Sequence, residues 1–101
     1  MSYRLSIRSA AEADIAETAH WYDDRQPGLG EAFVGEVDRA LARVLENPLA
    51  FPVIYRRSAV RRILTDRFPY RIFFSLWGKD TVVVHAVLHG RRHDRRWRDR
   101  L

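Results

Sequence analysis

Between Val60 and Leu88 the chain is dominated by β-branched and aromatic residues, and this stretch leaves few folds open. It reads Val60-Arg61-Arg62-Ile63-Leu64, then Phe68-Pro69-Tyr70-Arg71-Ile72-Phe73-Phe74, then Val82-Val83-Val84-His85-Ala86-Val87-Leu88. Turn residues punctuate it at Asp66 and at Gly78-Lys79-Asp80. Such runs with short turns between them predict strands joined by hairpins. Alternation in the middle run places Tyr70, Ile72, Phe74 and Leu76 on one face and Arg71, Phe73, Ser75 and Trp77 on the other. The first face suits packing on helices. The second directs arginine and aromatic side chains towards a partner.

What precedes this stretch supplies those helices. Tyr3 to Arg8 alternates as a short strand, and Ser9-Ala10-Ala11-Glu12 has the capping-box form that opens a helix. Ala11, Ile15, Ala19 and Tyr22 recur at helical spacing until Gln26-Pro27-Gly28 breaks the pattern. A second helix is predicted from Leu29 to Glu46, with Phe33, Val37, Ala40, Leu41, Val44 and Leu45 facing the sheet. Asn47-Pro48 ends it, because proline cannot continue a helix and disfavours helical geometry in the residue before it. Phe51 to Tyr55 is a further short strand, and His93 to Leu101 a short helix or irregular tail. The expected fold is therefore α+β in β-α-α-β-β-β order, with a fourth closing strand if Phe51 to Tyr55 counts as one: an antiparallel sheet with a two-helix hairpin packed on one face.

At 101 residues the expectation is one domain spanning 1–101. No apolar run approaches the roughly 20 residues of a membrane span, and no secretory leader follows Met1, so a cytoplasmic address is expected. With no cysteine, disulfides and thiolate chemistry are excluded. Charge is unevenly placed. Residues 1–50 carry 5 Arg against 9 Asp or Glu, a net of −4, and residues 51–101 carry 13 Lys or Arg against 4 Asp or Glu, a net of +9. A basic half built of arginine suggests an anionic partner, the bland alternative being a solvated surface.

Several catalytic readings fail on chemistry. His85, His89 and His93 recur every four residues, but on a strand that spacing separates neighbours by about 13 Å, too far to share an ion. No metal or other cofactor is expected. Ser58 and Ser75 lack a nucleophile-elbow context, and the acidic residues lie mainly on the helices, where solvent-facing charge is the default. Trp21-Tyr22 reads as hairpin packing. Arg62, Arg71 and Arg91 come from separate strands or strand ends that an antiparallel sheet can converge. Their guanidinium forks bind phosphate or carboxylate, beside Tyr55, Phe73, Trp77 and Trp97 as stacking or packing surfaces.

Taken together, these pieces resemble the RelE/ParE superfamily of toxins from type II toxin–antitoxin systems, also labelled plasmid-stabilisation proteins. The matching residues are Ala11-Xaa-Xaa-Asp14-Ile15, Trp21-Tyr22, Pro27-Gly28-Leu29-Gly30 with Phe33, Asn47-Pro48 and Val60-Arg61-Arg62. Phe68-Pro69-Tyr70-Arg71-Ile72 and Val87-Leu88-His89 running into Arg91-Arg92 complete the set. No single piece is specific, but their order and spacing are.

The resemblance implies a growth-arresting toxin in a hetero-oligomer with a cognate acidic antitoxin. It also implies one of two activities: ribosome-dependent messenger RNA cutting, or poisoning of DNA gyrase. The cutting set falls on Arg62, Leu64, Arg71, Arg91 and Trp97, so one basic position is lost and the tyrosine is replaced. Indole has no ionisable oxygen to take a proton from a ribose hydroxyl. The Val87-Leu88-His89 ending with Asp94 looks more like the ParE branch, implying a non-catalytic gyrase inhibitor. The alternatives are a RelE-like enzyme acting on ribosome and mRNA through Arg62, Arg71 and Arg91, and an inert interaction module. Antitoxin- or target-binding residues on this reading are Arg62, Arg71, Phe73, Trp77, His89, Arg91, Arg92 and Trp97.

Overall fold

Residues 2–90 and 95–101 are described by the computed structural model. Strand β1 (Arg4–Ile7) leads into helix α1 (Ser9–Arg25), which turns back into α2 (Leu29–Glu46). Four strands follow: β2 (Val53–Tyr55), β3 (Val60–Leu64), β4 (Tyr70–Trp77) and β5 (Thr81–His89), before a short helix α3 (Arg95–Arg98). The strands form one sheet in the order β1-β5-β4-β3-β2. The α+β class and element order are those expected, with a second helix over the predicted Leu29–Glu46. The sheet is mixed rather than wholly antiparallel, because β1 runs parallel to β5, pairing Arg4 with Thr81 and Ile7 with Val84. The connection between these parallel neighbours is long, as such a pair requires: it takes in the helical hairpin and then β2, β3 and β4.

Two local details differ from the sequence reading. Arg8, not Ser9, is the N-cap of α1, and it makes no side-chain capping hydrogen bond. The Arg8 N–H donates to the Val84 carbonyl and so extends the β1–β5 ladder, which holds Arg8 extended as the cap, and the helix begins at Ser9 itself. The second detail lies in β5. Phe73 pairs with Ala86 but Phe74 pairs with Val84, leaving His85 as an extra residue in a β-bulge.

The α1–α2 turn shows why Pro27-Gly28-Leu29-Gly30 has its composition. Gly28 adopts φ +90° in the left-handed region, where a side chain is strained. A Cβ on Gly30 would collide with the Ala19 carbonyl oxygen, so only glycine lets the helices approach this closely. The Asp23 carboxylate accepts the N–H groups of Gly28 (3.1 Å) and Gly30 (2.8 Å), satisfying amides that open α2.

The sheet carries a core on each face. Towards the helices, Ile63, Ile72, Phe74, Val82, Val84 and Val87 pack with Ala11, Phe33, Val37, Leu41 and Val44. On the outer face, Val60, Phe73, Ala86 and Leu88 form a smaller cluster closed by Trp97 of the last helix.

Candidate functional site

The candidate site is the outer face of the sheet. Pairing of Arg62 with Phe73, and of Leu64 with Arg71, sets Arg62 and Arg71 on the same face of neighbouring strands. The Arg71 guanidinium lies 5.2 Å from the Phe73 ring centroid, a cation–π geometry. Trp77 shares this face and is 66% exposed, but it stands six residues along β4 from Arg71, about 20 Å away.

Three expected surface residues sit elsewhere. Phe73 (1% exposed) and Trp97 (0%) are stacked on each other at 5.0 Å and 20° between planes, so neither ring is offered to a partner. The small outer core claims them, because the middle of the sheet has to be covered on both sides. His89 pairs with Tyr70, its ring edge-on at 5.4 Å, which places it on the helix side. The bulge at His85 is the reason: it reverses the alternation for everything after it. Arg91 and Arg92 lie outside the described residues, as do His93 and Asp94.

The arginines separate into two groups. Arg4 pairs with Asp80 (3.8 Å), Arg39 with Glu36 (3.1 Å), Arg43 with Asp66 (3.8 Å) and Arg100 with Asp14 (2.6 Å). Arg61, directed to the helix side, donates to the carbonyls of Leu49 and Phe51. Among the described residues no carboxylate lies within ion-pair distance of Arg56, Arg57, Arg62 or Arg98. Arg98 instead lies over the rings of Tyr55 (5.2 Å) and Trp97 (5.4 Å). The outer face and its β2–β3 border thus hold guanidinium groups with no counter-charge among the described residues, an arrangement suited to an anion.

Two features of this face were not anticipated. Ser75 Oγ and His85 Nε2 are 2.7 Å apart and buried. Burial, and then the charge of Arg8, push the imidazole pKa down, so the ring is neutral at neutral pH. Among the described residues its Nδ1 has no hydrogen-bond partner, and none of them orients the ring as the third member of a nucleophile–base set would.

The second feature is a clasp at the end of the chain. Arg100 binds both Asp14 oxygens (2.6 and 3.0 Å) and donates to the His85 carbonyl (3.1 Å), while Asp14 Oδ2 accepts the Val87 N–H (3.0 Å). The hydrogen bonds it donates to Asp14 raise the Arg100 pKa, against the opposing effect of burial. Strand β1 ends opposite Val84, so β5 is left with an open edge from His85 onward, and these two side chains satisfy it. The clasp gives physical content to Asp14 in the Ala11-Xaa-Xaa-Asp14-Ile15 motif. Its partner stands 86 residues away, beyond any local pattern.

Among the described residues no three His, Asp or Glu side chains gather to hold a metal ion. No helix there is long and apolar enough to cross a membrane.

Comparison with known proteins agrees with this architecture. The fold is similar to a chain of the chromosomal ParDE toxin–antitoxin system from P. aeruginosa, with a TM-score of 0.76 and 15% identity. The match covers 86% of this chain and 95% of that one, and at such identity it is a likeness of fold. No curated protein matches the sequence. The profile of the family described as "ParE toxin of type II toxin-antitoxin system, parDE" matches residues 5–94, nearly the whole chain. The chain therefore belongs to the ParE toxin family of type II toxin–antitoxin systems.

Proposed function

We propose that this ParE-family toxin arrests growth in the cytoplasm by binding and inhibiting DNA gyrase, without cutting RNA. A cognate acidic antitoxin neutralises it by lying across the arginine-bearing outer face. The observation that carries the non-catalytic reading is the state of Trp97. It occupies the position where the RNA-cutting relatives use a tyrosine, and it is fully buried against Phe73. A buried indole has no oxygen to accept a proton and no access to a ribose hydroxyl. Leu64, 55% exposed, stands where a second basic residue would be needed. Arg56, Arg57, Arg62 and Arg98, which have no carboxylate at ion-pair distance among the described residues, support the acidic partner.

Purified gyrase assayed for supercoiling should lose activity as toxin is added, and expression in cells should induce DNA-damage signalling. Full supercoiling at saturating toxin would overturn the proposal. Ribosome-dependent cleavage of messenger RNA, abolished by Arg71→Ala, would replace it with the enzymatic reading.

A further inference from the structure

The turns joining β2 to β3 and β4 to β5 lie at the same end of the sheet, because β3 runs away from that end and β4 returns to it. Cationic side chains gather there. Arg56 and Arg57 are exposed in the short 3-10 turn Arg56–Ser58, which closes through Ala59 in the left-handed region (φ 49°). Lys79 is exposed in the second turn, and Arg98 approaches over Tyr55, the residue just before the first. Asp80, the acidic residue in these turns, is already paired with Arg4. The outer-face residue at this end is Trp77, whose indole is the most exposed large apolar side chain among the described residues.

The cations by themselves would accept any anion, carboxylate or phosphate. The bare indole distinguishes between them. Unstacked bases add their own stacking energy on an aromatic face, whatever their sequence, and an acidic peptide has no equivalent group. Bases within a duplex are already stacked on one another and cannot reach it.

We propose that this end of the sheet is a binding site for single-stranded nucleic acid, with backbone phosphates on Arg56, Arg57, Lys79 and Arg98 and a base stacked on Trp77. Its stacking residue, Trp77, stands about 20 Å from Arg71, the length of six strand residues, whereas Arg98 borders Trp97, the tyrosine position of the RNA-cutting set. The site does not depend on which target the toxin inhibits.

The test is fluorescence anisotropy with a labelled single strand, as DNA and as RNA of the same sequence, and with the DNA duplex. Both single strands should bind more tightly than the duplex, and the tighter of the two identifies the source. Trp77→Ala should weaken single-strand binding roughly 5- to 150-fold, the loss of one stacked base, and leave duplex binding unchanged. Trp77→Leu, which keeps apolar area but removes the flat ring, should weaken it equally. Arg56→Ala/Arg57→Ala should lower the salt dependence by about 1.4 in log–log slope. Arg25→Ala/Arg43→Ala, which removes the same charge from the helix layer, should change it little. The proposal is overturned if the Trp77 variants bind like the parent, if the helix-layer control loses as much as the turn variant, or if the duplex is preferred. Equal binding of an acidic peptide, with equal sensitivity to Trp77→Ala, would assign the surface to protein instead.

Discussion

Glu36 shows how far a single residue can depart from its sequence pattern. Solvent-facing charge is the default for an acidic residue on a helix, yet this one is 7% exposed. Its carboxylate accepts the Arg67 N–H at 2.6 Å and pairs with Arg39 at 3.1 Å, tying the β3–β4 turn to α2. The Arg67 hydrogen bond holds its pKa below the usual carboxylate range, against the opposing effect of burial. Because the folded pKa is the lower one, the unfolded chain takes up the proton first. The stabilisation is therefore complete above the unfolded value of about 4.3 and is lost as pH falls through the folded one. Glu36→Gln should flatten the acid limb of a urea-midpoint-versus-pH curve in that window. A variant whose acid limb matches the parent's would show that this carboxylate contributes nothing to it. The Glu36 contact was illegible because its partner is a backbone amide 31 residues distant. Asp23 escaped notice for the same kind of reason: its partners are amides of the next helix.

Among the elements, those with strong periodicity were the legible ones. Helix α2 runs Leu29–Glu46, because its apolar stripe repeats without interruption and Asn47-Pro48 stops it. The β3, β4 and β5 runs were equally plain, each being rich in residues that fit a pleated, half-buried surface. Helix α3 falls within the stretch read as a short helix or irregular tail, and the choice stayed open because four residues carry no period and its one anchor, Trp97, takes meaning only from Phe73 across the fold. The Asp14–Arg100 clasp lies just behind that anchor. Both side chains are largely buried (11% and 23% exposed), so Arg100→Ala leaves a carboxylate short of its partner. Partial exposure reduces the cost to about 1–3 kcal/mol, below that of a fully buried pair. In a Trp21→Phe/Trp77→Phe background, Trp97 fluorescence should then become more accessible to acrylamide. Unchanged quenching together with an unchanged urea midpoint would show that the clasp does not hold this segment.

For the molecule as a whole, the segregation of charge in the sequence becomes a segregation of layers. The net-negative half of the chain holds the two long helices and the net-positive half holds most of the sheet. Binding of an acidic antitoxin segment to the sheet side should weaken as salt rises, because exposed charge pairs are screened beyond about 8–10 Å. A dissociation constant independent of salt would show an interface that is mainly apolar. Class and layering were legible from sequence, but the parallel edge formed by β1 was not, since its short alternating run carries no directional information. The extra residue at His85 has its own consequence. A strand normally commits even positions to one side and odd positions to the other for its entire length, yet Val82 and Val84 face the helices before this point and Val87 does so after it. One continuous strand is thereby divided into two segments of opposite parity. The first is matched to its parallel neighbour and the second to the aromatic cluster outside, and each can be tuned to its own layer without putting the other out of step.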